Sequence, residues 1–134
     1  MINKSLPTRF TNYSGEELTR VVSALLREIG VPFKMKGFHY LERAVEIVYD
    51  SPKSIENVVA GLYRSIADEY GTTPSCVERD MRTAIKSAVA NGNIAALDEY
   101  YAHFSPKLSA RLFIATLADK LRCDMIRPSE EWNI

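Results

Sequence analysis

Ser75, Glu78, Arg79, Arg82 and Lys86 recur near i, i+3, i+4, i+7 and i+11, so a helix through them carries all five along one side. An arginine fork matches the O6 and N7 acceptors of guanine, and a glutamate accepts from cytosine N4. Glu78, Arg79 and Arg82 therefore have the functional groups of base readers in a DNA major groove. All three fall in the first turns of their segment, where reading helices touch base edges, and Lys86 lies one turn later, within reach of phosphate. Opposite them runs an apolar stripe of Val77, Met81, Ala84, Ile85 and Ala88. Any amphipathic helix leaves charged residues on its solvated side, so spacing alone leaves both readings open.

The elements that must position these residues are helical. Thr73 is placed as N-cap and Pro74 at the first helical position, and Asn91-Gly92-Asn93 closes the helix. Before it, Ile55, Val58, Val59, Leu62, Ile66 and Tyr70 repeat by threes and fours, with a kink or break expected near Gly61. Only Gly71-Thr72-Thr73-Pro74 joins the two segments, the short glycine-bearing connection of a helix-turn-helix. Upstream, the capping-box pattern Ser14-Gly15-Glu16-Glu17 precedes Leu18, Val21, Val22, Leu25, Leu26 and Ile29, with Gly30 as terminator. A second helix follows on Phe38, Leu41, Ala44, Val45 and Val48 and is stopped at Asp50-Ser51-Pro52. A fifth carries Ile94, Leu97, Tyr100, Tyr101 and Phe104; a sixth, opened by Ser109, turns Leu112, Phe113, Leu117 and Leu121 inward. All six prolines fall where the periodicity changes, and strand-like alternation is absent. The expectation is an all-α, compact six-helix domain over residues 14–126, with tails at 1–13 and 127–134.

Bulk properties narrow the function. The chain has 134 residues, 46% hydrophobic and 25% charged, the composition of a single globular domain. No apolar run reaches the roughly 20 residues of a membrane span, and no signal-peptide core opens the chain. A soluble, cytoplasmic, nucleoid-associated protein without membrane contact is expected. Seventeen basic residues balance seventeen acidic ones, which argues against coating nucleic acid by charge alone. Cys76 and Cys123 have no close companions, and His39 and His103 stand apart from any cluster, so two free thiols, no metal and no cofactor are expected. Asp98, Glu99, Asp119 and Asp124 read as helix-surface carboxylates, with no nucleophile–base pair or glycine-rich phosphate loop, so an enzyme is not expected.

Particular stretches carry a resemblance. They are Glu28-Ile29-Gly30-Val31-Pro32, Lys36-Gly37-Phe38-His39-Tyr40-Leu41, Val77-Glu78-Arg79 with Arg82, Gly92-Asn93 and Ala118-Asp119-Lys120-Leu121-Arg122. From about Val21 to Met125 the sequence resembles the C-terminal effector domain of the stage-zero sporulation transcription factor A, the master response regulator of endospore-forming bacteria. The resemblance implies six helices, base contacts from Glu78, Arg79 and Arg82, and tandem self-association along double-stranded DNA. DNA-backbone contacts are expected from Lys36, Thr72, Thr73, Ser75 and Lys86, and a surface for the RNA polymerase sigma subunit near Ala118, Asp119 and Lys120.

The chain also departs from the family. Cys76 stands where a basic residue is expected, Thr83 where a histidine is, and Asp80 where a small apolar residue is. These changes preserve the base-reading set and reduce favourable charge. The family's phosphorylatable receiver has no counterpart upstream of Ser14, so an excised domain or a receiver-less relative is expected. The alternative function is a protein-interaction module of the same fold that holds a transcription partner instead of DNA. Cys76, Asp80 and the balanced charge favour it; the intact Glu78, Arg79 and Arg82 oppose it.

Overall fold

A computed structural model describes residues 13, 15–93, 95–96 and 109–126. Among these residues there is no strand. The described residues include the α-helices α1 (Gly15–Ile29), α2 (Lys36–Asp50), α3 (Arg64–Tyr70), α4 (Pro74–Asn91) and α5 (Ala110–Ile126).

The terminators act as their residue types dictate. Gly30 has φ +103°, a left-handed conformation that costs glycine little. Its N–H reaches the Arg27 carbonyl at 3.0 Å while the Val31 N–H reaches Leu26 at 3.0 Å, the double bond of a Schellman motif. Gly71, at φ +69°, closes α3 in the same way, with the Thr72 N–H on the Ala67 carbonyl at 2.9 Å. Ser109 Oγ accepts from the Leu112 N–H at 3.1 Å and so opens α5 as expected.

Between α2 and α3 the chain departs from the regular helix that the spacing suggests. Pro52–Glu56 is a 3-10 turn, and Val58–Tyr63 winds as a π-helix. The Gly61 and Leu62 N–H groups share the Asn57 carbonyl, at 3.0 and 3.1 Å, which inserts an extra residue into the turn. The break expected near Gly61 is therefore a change of winding. It turns Val59 out to 63% exposure and leaves Leu62 and Tyr63 buried, so the inward place expected for Val59 is corrected. Tyr70, also expected inward, is 47% exposed.

Helix α2 is the central mast, packed against α4 and α5 more extensively than any other described pair. Phe38, Leu41, Ala44, Val45 and Val48 are buried along it. Polar ties fasten its neighbours. Thr19 of α1 donates to Glu46 at 2.9 Å, and Arg43 bridges Glu46 at 3.2 Å and Glu69 of α3 at 3.0 Å. Arg122 of α5 donates to the Tyr49 carbonyl at 2.7 Å and lies over the Tyr49 ring, which satisfies a carbonyl that the helix end leaves open.

Helix α5 buries Phe113, Ile114, Leu117, Ala118 and Leu121. Leu112, expected inward, is 53% exposed. It lies about 100° around the helix from Phe113, and Ile114 takes the inward place on the other side. The expected fifth helix lies outside the described residues except for Ala95 and Ala96, both helical, where the Asn93 side chain caps the Ala96 N–H at 3.2 Å. Ser14 and both expected tails also lie outside, apart from Tyr13, whose ring packs 6.0 Å from Tyr49.

Candidate nucleic-acid interface

Helix α4 begins as its sequence requires. Thr73 is extended, at φ −115° and ψ 156°, and its hydroxyl accepts the Cys76 N–H at 3.2 Å, with Pro74 in the first turn. Val77, Met81, Ala84, Ile85 and Ala88 are all buried. Leu62 and Ile66 belong to the same core, so the five side chains expected to pack together (Val77, Met81, Ile85, Leu62 and Ile66) do so. At the far end the Asn93 N–H donates to the Ile29 carbonyl at 3.0 Å, which fixes the end of α4 to the end of α1.

The opposite side of α4 is solvent-facing. Ser75, Glu78, Arg79, Arg82 and Lys86 are all exposed. Two ion pairs run along it: Arg79 Nε to Asp80 Oδ1 at 3.3 Å, and Arg82 to Glu78 at 3.5 Å across one turn. Lys36 and Lys86 have no carboxylate partner among the described residues. Tyr63, buried under this face, has its phenol pushed up to about 12, by burial first and by the Glu78 carboxylate second.

The first turn of α4 also borders a cavity of about 390 Å³. Lys36 and His39 reach it from the first turn of α2, Tyr70 and Thr72 from the end of α3 and the turn, and Cys76, Arg79 and Asp80 from α4. Gly37 makes this convergence possible, because α2 passes so close to the Asp80 carbonyl that any Cβ there would collide with it. His39, isolated in the sequence, thus shares a wall with Cys76 and Asp80. No group of three residues suited to a metal occurs among the described residues. The half-buried Cys76 thiol is shifted down, chiefly by hydrogen bonding with the Thr73 hydroxyl and then with Thr72, with Arg79 adding to the effect. Burial first, then Asp80, pushes the Tyr40 phenol up.

The remaining candidates are divided. Thr73 is committed to its cap, whereas Thr72 and Lys36 line the cavity. On α5, Asp119 is exposed and Lys120 half-buried, but Ala118 is only 2% exposed. Of that triplet, Ala118 faces the core and has no surface to offer a partner. His39 and Tyr70 line the cavity without having been singled out by the sequence, since their approach to α4 is purely tertiary. Gly37, inside a helix that would favour almost any other residue, was the available signal.

Residues 22–121 match the family model described as Sporulation initiation factor Spo0A C terminal. The chain belongs to that family. The match spans every described helix except the first seven residues of α1 and the last five of α5. The Spo0A C-terminal family is one of sporulation-related, DNA-binding regulators of transcription and not a family of enzymes, and its partner is double-stranded DNA. No described helix is long and apolar enough to cross a membrane.

Proposed function

We propose that α3, the Gly71–Thr73 turn and α4 form a helix-turn-helix whose second helix reads a short promoter box in the major groove. The observation that carries this reading is the exposed row of Glu78, Arg79 and Arg82 on the first turns of a helix whose other side is fully buried. Arg79 and Arg82 fork onto guanines, Glu78 accepts from cytosine, and Lys86 meets phosphate one turn later. Lys36, Thr72 and Ser75 contact the backbone, and tandem copies bind neighbouring boxes. Asp119 and Lys120 form the surface offered to the sigma subunit.

The two ion pairs on α4 favour the competing reading of a protein-interaction module, because each arginine already has a carboxylate. Neither pair is a strong obstacle to base contact: Arg79 meets Asp80 through Nε, which leaves its Nη groups to fork, and an exposed pair such as Arg82–Glu78 is worth about 0.2–1 kcal/mol.

The two free thiols supply a test. Cys76 lies in the first turn of α4 and Cys123 is exposed on α5. A duplex carrying the family's box should protect Cys76 from alkylation and leave Cys123 reactive, while a scrambled duplex at equal concentration protects neither. Equal protection by both duplexes would show that this face does not read sequence.

A further inference from the structure

The cavity beside α4 is lined by donors. Lys36 contributes an ammonium, His39 an imidazole N–H, Thr72 a hydroxyl, and Tyr40 and Tyr70 phenols, which are protonated at neutral pH. Two carboxylates stand near the cavity: Asp80 in the wall, held by Arg79 at 3.3 Å, and Glu42, 3.9 Å from His39 Nδ1. Lys36 is the cation of the lining with no carboxylate partner among the described residues. A wall of donors with one such cation suits an anion whose oxygens only accept, and phosphate is such an anion.

Position selects the source of that phosphate. A helix in a major groove about 12 Å wide has a sugar–phosphate strand close on either side, and the cavity opens beside the turns that would touch base edges. At about 390 Å³ it has room for a phosphodiester with the edges of its flanking sugars. Tyr70, 47% exposed, lines the cavity with its ring edge-on against Tyr40, 5.2 Å between centroids.

We propose that this cavity seats one DNA-backbone phosphate flanking the box, with His39 and Tyr70 joining Lys36 and Thr72 as its contacts. The proposal rests on the major-groove reading of α4 given above. Binding is measured by fluorescence anisotropy on box duplexes that carry a single neutral methylphosphonate at each backbone position in turn. At the position seated in the cavity the substitution should weaken the wild type by about three- to tenfold, whatever the losses at the phosphates met by Ser75 and Lys86. Tyr70→Phe and His39→Leu should each weaken binding to the unmodified duplex and add nothing at that one position. Both side chains are exposed, and circular dichroism checks that the variants fold.

Losses that add at every position, or variants that bind as the wild type does, overturn the proposal. Arg79→Ala and Arg82→Ala run in parallel. If they lose preference for the box while His39→Leu and Tyr70→Phe change nothing, the cavity assignment fails and base reading stands. If the wild type never distinguishes the box, base reading fails, and the salt dependence on random duplex then tests the cavity: an unchanged slope in Lys36→Ala overturns it, and a slope reduced by about one unit supports it.

Discussion

Gly37 of α2 lies against the backbone carbonyl of Asp80 in α4, with the Ala84 methyl 2.8 Å from where a Cβ would stand. Two helices touch backbone to backbone there, in the second turn of the helix that carries Glu78, Arg79 and Arg82. Gly37→Ala would gain up to about 1 kcal/mol of helix propensity and force the helices apart, an overpacking cost of about 1–3 kcal/mol. The expected net result is a lower urea midpoint and weaker box binding together. A variant as stable as the wild type would show that α2 can shift without disturbing α4.

Asp80 holds Arg79 at 3.3 Å and puts a negative charge on the side of α4 proposed to face DNA. Removing the carboxylate frees the guanidinium and removes repulsion from phosphate. Asp80→Ala should tighten box binding by about two- to fivefold, with the gain shrinking as salt rises. Titrations at two salt concentrations check both parts.

Arg79→Ala and Arg82→Ala should each cost about 1–3 kcal/mol and relax specificity at one base pair. Lys86→Ala should weaken binding to all sequences alike and lower the salt slope by about one unit. Competition against duplexes with single base changes separates the two behaviours. Equal losses on specific and random DNA would make the arginines phosphate contacts only.

Tyr63 gives a pH signature. Its phenol is raised from 10.0 to about 12, so folding favours the neutral form. That contribution is complete below pH 10 and is lost as pH rises toward 12, at about 1.4 kcal/mol per pH unit. Urea unfolding at pH 9, 10 and 11 should show the wild type losing stability more steeply than Tyr63→Phe. Parallel curves would mean that the phenol ionises freely in the folded protein.

What the sequence made legible was local chemistry. Thr73-Pro74, Gly30, Gly71 and Asn91-Gly92 mark the ends of α1 and α3 and both ends of α4. The exposed row of Ser75, Glu78, Arg79, Arg82 and Lys86 on α4 was equally legible, because one helix fixes its spacing. The π winding was not: Ile55, Val58, Leu62 and Ile66 are spaced as an α-helix would space them, and only the shared Asn57 carbonyl reveals the extra residue. Leu112 and Ala118 were misplaced because α5 meets its neighbours on Phe113 and Ile114, a choice made by packing. Lys36 and His39 join Cys76 and Asp80 only once α2 has docked.

Helix α4 is fastened twice, by the Gly37 contact near its start and by the bond from Asn93 to the Ile29 carbonyl just past its end. A rod held at both ends has already given up its swivel before it meets a ligand. The orientational entropy that a loosely hung reading helix would lose on docking is here lost during folding, so little is left to subtract from affinity. The same stiffness makes the helix intolerant of register. On the proposed reading, a box lengthened by one base pair between its contacted positions presents edges that a fixed row of side chains cannot follow, and discrimination against such spacing errors is then a property of the scaffold as much as of the arginines.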